Sequence, residues 1–188
     1  AHYDGVLAAF EARGIEVVPA FASGLDARPA VEDYFVRAGK PVADAIVHPS
    51  LPGTDYPFGG LCGAAVAFKL AWSICQLASN APRVNPPLRD FLLMALGLAA
   101  IGTVCDVVPL IDENRIIVRH GLACIQSHAC PGLRSLMAVA GLDPSGPLSS
   151  EDLAFKIGPR LNAAGRLGQA QLGVELLTSD QQPRVAAL

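Results

Sequence analysis

The stretch GLAAIGTVCDVVPLIDENR, residues 97–115, is the part of the sequence that says most about the fold and the candidate site. It closes an uncharged run that begins at Phe91, and the first carboxylate after that run is Asp106. A carboxylate beside apolar sequence is costly to bury unless a partner pairs with it. Two interpretations stay open: Asp106 caps a turn before Pro109, or it is a metal ligand or general base held on a rigid, water-poor scaffold.

The composition favours a globular protein with a sizeable core. The chain has 188 residues, of which 52% are hydrophobic, and its mean hydropathy is +0.39. Its longest uncharged run, 15 residues, is shorter than the roughly 20 that a bilayer requires. The first residues also lack the pattern of a secretion signal. We therefore expect a cytoplasmic protein without a membrane span.

The cysteine spacing and the net charge further restrict the class of protein to which the chain could belong. The five cysteines have no CxxC spacing, which indicates reduced thiols rather than a disulfide framework or a zinc site. The net charge of −3 argues against a uniformly basic, non-specific coat for nucleic acid. Residues 1–110 carry ten acidic and seven basic groups. The excess of acidic residues therefore lies in this part of the chain, which could bind a cation.

The first part of the chain alternates predicted helices and strands, which is typical of an α/β fold with a parallel sheet. Two longer helices are predicted after it, over 62–77 and 88–101. The first of these is apolar nearly all round, which predicts that it is buried and that Trp72 belongs to the core. The predicted elements before them are helix 5–13, strand 15–21, helix 29–38 and strand 43–47.

Residues 111–188 are predicted to be entirely helical. Asp112 and Glu113 begin an amphipathic helix that continues through 114–125, and Ser149 or Ser150 is the predicted N-cap of a later one. This part has no complete core of its own, so we predict a domain boundary near residue 110. The other predicted helices of this part are 133–140 and 169–178.

The segment GPRLNAAGRLG, residues 158–168, could contact a ligand. Its glycines would let the backbone approach closely, and Arg160 and Arg166, with Asn162 between them, offer donors suited to phosphate. The alternative is a solvated loop between helices whose arginines face water. The glycine spacing is not that of a P-loop or a dinucleotide-binding fingerprint.

Three stretches together resemble one family: YPFGGLCGAAVAFKLAW (56–72), ALGLAAIGTVCDVVPLIDENRIIVRHGL (95–122) and LAFKIGPRLNAAGRLGQAQLGVELL (153–177). They are similar to the bacterial RecJ family of single-strand-specific exonucleases, in the DHH phosphoesterase superfamily. The resemblance implies a parallel-sheet α/β domain that holds two divalent cations, Mn²⁺ or Mg²⁺. It also implies 5′-to-3′ degradation of single-stranded DNA in repair and recombination, where the cations activate water and shield the charge on the phosphodiester.

The resemblance also assigns residues. Asp106 matches a metal-ligand aspartate of the family, Asp4 matches its opening motif more loosely, and Asp26 is a loose candidate for the second motif. The segment 63–69 matches a part of the family with a packing role. The residues expected near the DNA backbone are Arg160, Asn162 and Arg166.

The chain departs from the family pattern in two places. The Asp-His-His triplet does not occur in the sequence, and Asp4 stands alone where the family has two aspartates. The resemblance divides the chain into a shortened DHH-type domain, 1–110, and a helical region, 111–188, that leads to a further domain. The expected activity is metal-dependent exonuclease activity, weak or absent in this chain. The alternatives are a single-strand-binding fragment that does not cleave, or a sibling phosphodiesterase that acts on oligonucleotides or cyclic dinucleotides.

Overall fold

The computed structural model describes residues 36–37, 40–41, 47–50, 53, 55–81, 83–143, 146–166 and 169–179. This part of the chain is mainly helical, with two short strands, β1 (Val36–Arg37) and β2 (Lys40–Pro41). The helices, in order, are α1 (Gly63–Ser79), α2 (Pro86–Cys105), α3 (Asp112–His128), α4 (Pro131–Val139), α5 (Ser150–Asp152), a π-helical segment (Leu153–Ile157), α6 (Gly158–Arg166) and α7 (Ala170–Thr178).

Helix α2 is the central element. It begins two residues before the predicted start, because Asn85 caps it: the Leu88 backbone N–H donates to Asn85 Oδ1 at 3.1 Å. Pro86 and Pro87 fill the first turn, where their missing N–H groups have no helical partner to lose. The helix then continues to Cys105 and packs against both α1 and α3, with most of its buried residues in its second half.

Small residues let α2 approach its neighbours closely. A Cβ atom on Gly102 of α2 would collide with the Cβ atom of Ala64 in α1. A Cβ atom on Gly121 of α3 would collide in the same way with the Cβ atom of Ala100 in α2. Both separations would be under 3.0 Å, which is too short for two carbon atoms, so the two helix crossings require glycine.

Helix α1 is buried on one face only. Ala65 and Cys75 are buried, whereas Trp72, Ile74 and Leu77 leave 46%, 56% and 81% of their surface exposed. The prediction of a helix buried all round, with Trp72 in the core, is therefore wrong. The reason is that, among the described residues, α1 packs mainly against α2 and its outer face is left uncovered.

One apolar core joins the helices on both sides of residue 110. Within the part after residue 110, α4 and α7 also pack closely, because the carbonyl oxygen of Leu176 in α7 lies so close to Gly132 that a side chain there would collide with it. The predicted domain boundary near 110 stays a prediction, although α2 and α3 share this core across it. Core residues include Ala99, Ala100, Ile101, Ile117, Ile125, Leu133, Met137, Leu153 and Ile157.

The predicted N-cap at Ser149 is confirmed. Ser149 Oγ accepts a hydrogen bond from the Asp152 backbone N–H at 3.2 Å, and Asp152 Oδ2 accepts one from the Ser149 backbone N–H at 3.0 Å. Lys156 pairs with Asp152 at 2.7 Å. The hydrogen bonds from Lys156 and Ser149 hold the pKa of Asp152 at about 2.

The strands found differ from those predicted. β1 and β2 pair antiparallel, with Val36 opposite Pro41, so the predicted helix 29–38 is wrong at residues 36–37. The strands are separated by two residues, the second a glycine, which is typical of a hairpin. Val47 has no regular structure. Helix 5–13, strand 15–21 and residues 43–46 lie outside the described residues, so the parallel sheet stays a prediction.

Helix α2 is long and apolar enough to cross a membrane by length and composition alone. A core helix passes the same test, and this helix packs against α1 and α3. The property is therefore weak evidence for a membrane span. The five cysteines are all free; Cys105 is exposed and the other four are buried.

Candidate active site at the end of helix α2

Asp106 is the residue that ends α2. Its backbone N–H donates to the Gly102 carbonyl at 3.0 Å, and its side chain is exposed. The C-terminal end of a helix carries partial negative charge, so a carboxylate there is stabilised by a nearby cation. The position is compatible with a turn residue and with a metal ligand, but the predicted water-poor setting is wrong, because the Asp106 side chain is exposed.

The backbone is strained directly after Asp106. Val107 has φ = 57°, in the left-handed region that β-branched residues rarely adopt, and 87% of its surface is exposed. Its N–H donates to the Val104 carbonyl at 3.1 Å. Strain of this kind costs about 1–3 kcal/mol and tends to occur at functional sites, which makes the turn after Asp106 a candidate for one.

Asn114 holds this turn in place. Its side chain is fully buried, and its Nδ2 donates to the carbonyl of Gly60 at 2.8 Å and to that of Pro109 at 3.0 Å. One amide thus ties the segment after Asp106 to the loop that leads into α1. Sequence reasoning treated Asn114 only as part of an amphipathic helix.

A cavity of about 950 Å³ opens beside Asp106. The end of α2, the start of α1, α6 and α7 border it, and Asn162 of α6 lines it together with Asp106. The cavity therefore brings together two of the predicted site residues that are far apart in the sequence. Its other lining residues include Cys62, Gly63, Gly158 and Val174.

Residues 158–166 form helix α6, so the alternative of a solvated loop over 158–168 is wrong for that part. Gly158 allows the close packing, because a Cβ atom there would lie 2.5 Å from Cys105 Sγ at the end of α2. Pro159 would clash with the carbonyl four residues earlier in a regular helix, and a wider π-helical turn precedes it. Packing against α2 thus outweighs the loop preference of glycine and proline.

The predicted DNA-contacting residues are placed differently from one another. Asn162 is exposed and lines the cavity. Arg160 is exposed outside the cavity lining, and its Nη1 donates to the Lys156 carbonyl at 2.7 Å. Arg166 is the last residue of α6. Contact of these three with nucleic acid stays a prediction.

The described residues supply one carboxylate to this cavity. Among them, no group of three His, Cys, Asp or Glu side chains could hold a metal ion. A hard cation takes about six oxygen ligands, so Asp106 by itself does not make a metal site. Asp4 and Asp26, the other predicted ligands, lie outside the described residues, and their position relative to Asp106 stays a prediction.

A polar network beside α1 was missed by sequence reasoning. Lys69 Nζ and Tyr56 Oη both donate to Glu113 Oε2 at 2.6 Å, Lys69 also donates to Tyr56 Oη, and its Nζ lies 4.7 Å from the Tyr56 ring centroid. The network joins α1, α3 and the loop before α1. Its only sequence signal is that Lys69 is the single charge of an otherwise apolar helix. The segment 63–69 thus carries an ion pair as well as packing contacts.

The network shifts three pKa values. Burial raises the pKa of Glu113, but the hydrogen bonds from Lys69 and Tyr56 outweigh it and the net pKa is lowered. Burial lowers the pKa of Lys69, but the bonds to Glu113 and Tyr56 raise it on balance. Burial and the bond to Glu113 raise the pKa of Tyr56. The network therefore favours charged Glu113, charged Lys69 and neutral Tyr56.

This linkage predicts a loss of stability in acid. Because the pKa of Glu113 is lower in the folded state, its contribution is present above its ordinary value of 4.5 and is lost as the pH falls through the lower folded value. We expect Glu113→Gln to lower the unfolding free energy by about 1 kcal/mol at pH 7, since the pair is partly exposed, and by less at pH 3. Urea unfolding at both pH values measures the difference. Glu151→Gln, at an exposed position in α5, is the control, and an equal effect of the two substitutions at pH 7 would contradict the prediction.

The comparisons with known proteins identify relatives of one kind over most of the chain. No family model matches the chain. The single-stranded-DNA-specific exonuclease RecJ of Dickeya dadantii is 35% identical over 192 residues, which cover 92% of this chain and 32% of the relative. The exonuclease of the same name from Bacillus subtilis is 44% identical over 140 residues, covering 74% of this chain and 16% of the relative.

Solved structures give the same result. The crystal structure of RecJ with Mn²⁺ from Thermus thermophilus matches 99% of this chain and 31% of its own, with a TM-score of 0.65 and 27% identity. A crystal structure of exonuclease RecJ bound to manganese matches 79% of this chain and 34% of its own, with a TM-score of 0.61 and 35% identity.

The predicted family resemblance is confirmed, and the chain has the fold of part of the RecJ structures it matches. It is a RecJ-like partial chain, and it spans a third or less of the length of the two curated relatives described.

Proposed function

We propose that this chain carries part of the active site of a metal-dependent exonuclease that degrades single-stranded DNA from the 5′ end, in repair and recombination in the cytoplasm. The observation that carries the proposal is the cavity at the end of α2, which Asp106 and Asn162 line together. The relatives support it, because they are single-stranded-DNA-specific exonucleases and their structures hold Mg²⁺ or Mn²⁺.

The proposed roles follow the predicted residues. Asp106 and Asp4 are the catalytic residues, and Asp26 joins them as a ligand of Mn²⁺ or Mg²⁺. The position of Asp106 at the negative end of α2 supports its role, because a cation would offset that charge.

The nucleic-acid-binding residues of the proposal lie along α6. Asn162 faces the cavity, and Arg160 and Arg166 stand two residues before and four residues after it on the same helix. Guanidinium groups suit phosphate because their forked N–H donors match its oxygen atoms. Single-stranded DNA is the proposed partner of this helix.

The proposal keeps the predicted architecture. Residues 1–110 form a shortened DHH-type α/β domain with a parallel sheet, and 111–188 are a helical region that leads to a further domain. The described secondary structure elements between 112 and 178 are all helices, which supports the second half of this division.

A second candidate is a fragment that binds single strands without cleaving them. The observation that favours it is that Asp106 is the one carboxylate among the described residues that line the cavity. Binding through phosphate contacts needs no catalytic cation, so α6 could still hold a strand.

The experiment that separates the two candidates is a cleavage assay. We expect the chain to release labelled mononucleotide only slowly from a 5′-labelled single-stranded oligonucleotide with Mn²⁺, because the described residues supply a single carboxylate to the cavity, and not at all with EDTA. A blunt duplex of the same sequence is the control substrate. Salt-dependent binding of the single strand with no release would contradict the exonuclease and support the binding fragment.

A further inference from the structure

A second cavity, of about 880 Å³, lies between α1, the first half of α2 and α3. Its floor is apolar and comes from α2, with Leu92, Leu93 and Leu96. Arg89 at this end of α2 is separated from Asp106 by most of the helix, which corresponds to about 25 Å at 1.5 Å per residue. The arginine end of this cavity is thus well separated from Asp106.

One wall of this cavity is aromatic. The rings of Phe68 and Trp72, both on α1, have centroids 6.0 Å apart and are tilted by 44°. Nearly half of the Trp72 surface is exposed, and both side chains line the cavity. An exposed aromatic face over an apolar floor is suited to a flat ring, which gains from stacking and from burial together.

The rim of the cavity is positively charged. Glu113 is the only acidic residue among the described residues of its lining, and Lys69 already pairs with it. This leaves Arg83 and Arg89, which are both exposed and form no ion pair with a described residue. Two such guanidinium groups on a chain of net charge −3 mark a local site for an anion, and their forked donors suit phosphate.

We propose that this cavity binds a nucleotide, with the base against Trp72 and the phosphate at Arg83 and Arg89. A simple inorganic anion would not use the aromatic wall, and a purely apolar ligand would not use the two arginines. The nucleotide is either free or one unit of a single strand, since both present the same base and phosphate. The site does not depend on the proposed cleavage at Asp106.

The test uses Trp72 as its own reporter, because it is the only tryptophan of the chain. Deoxyadenosine monophosphate is expected to quench its fluorescence with a saturable curve. Deoxyadenosine, which lacks the phosphate, is expected to bind about tenfold more weakly, the size of a lost charge-assisted contact. The absence of saturable quenching, or equal affinity for the two compounds, would overturn the proposal.

Substitutions of the arginines test where the phosphate group binds. Arg89→Ala and Arg83→Ala are each expected to weaken binding of the monophosphate by about tenfold. Arg119→Ala, at an exposed position of α3 outside the cavity lining, should leave it unchanged. All three positions are exposed, so the fold should persist, which circular dichroism checks. Equal affinities in Arg83→Ala, Arg89→Ala and Arg119→Ala would overturn the assignment.

Two further measurements identify the source of the nucleotide and test whether the site is independent of Asp106. Tighter binding of a tetramer of deoxyadenylate than of the monophosphate identifies a strand as the ligand, and equal binding identifies a free nucleotide; both support the site. Asp106→Asn should leave the quenching unchanged, so this proposal can fail while the exonuclease proposal stands, and the reverse. Loss of quenching in Asp106→Asn would overturn a separate site.

Discussion

Replacing Asp106 with asparagine is expected to lower Mn²⁺-dependent release of nucleotides from single-stranded DNA by about 100-fold or more. Changes to residues that only support a metal ligand already cost about 10- to 100-fold, and a ligand itself should cost at least as much. Asparagine keeps the size of the side chain but removes the charge that a hard cation prefers. The 5′-label assay measures the rate, and titration with Mn²⁺ followed by electron paramagnetic resonance measures the affinity for the ion.

The same substitution should not weaken the fold. Asp106 lies at the negative end of α2, so removing its charge is expected to leave the melting temperature unchanged or slightly raised. Asp90→Asn is the matched control, because Asp90 is exposed on the same helix and does not line the cavity beside Asp106. Wild-type rates and Mn²⁺ affinity in Asp106→Asn would contradict the role of this residue.

The helical part of the fold was largely predictable because its signals are local. Ser149 with Asp152 forms the predicted cap of α5, whereas the start of α2 was placed two residues late, at 88 instead of 86, although Asn85 followed by two prolines is a local signal for it. The end of α2 was placed four residues early, at 101 instead of 105, because the apolar pattern weakens before the backbone leaves the helix. Asp106 could be singled out from sequence since it is the first charge after a long uncharged run.

The parts that could not be predicted depend on contacts between distant residues. The glycine and proline of 158–159 are local signals of a loop, whereas the helix found there packs closely against Cys105 at the end of α2. Lys69 finds Glu113 across 44 positions of sequence, and Asn114 reaches Gly60 across 54. No periodicity or spacing within one segment encodes such pairs.

Replacing Gly121 with alanine is expected to destabilise the chain by about 1–3 kcal/mol, the usual cost of overpacking. The new Cβ atom would collide with the Cβ atom of Ala100 and would lie 2.7 Å from the Leu96 carbonyl oxygen. The second contact is to backbone, so α2 and α3 must move apart. For a chain of this length, each kcal/mol corresponds to a fall of about 2–4 °C in melting temperature, which calorimetry measures.

Gly173→Ala provides the control for this prediction, because a Cβ atom at that helical position meets nothing within 4 Å. Alanine there should stabilise the chain by about 0.5–1 kcal/mol through its helix propensity. The two substitutions are chemically the same. Changes of opposite sign in the unfolding free energy would therefore identify the close crossing of α2 and α3 as the cause of the loss in Gly121→Ala. Adding Ala100→Gly to Gly121→Ala should cost less than the sum of the single changes, since it removes one of the two collisions. A Gly121→Ala variant that melts at the wild-type temperature would show that the two helices do not cross this closely.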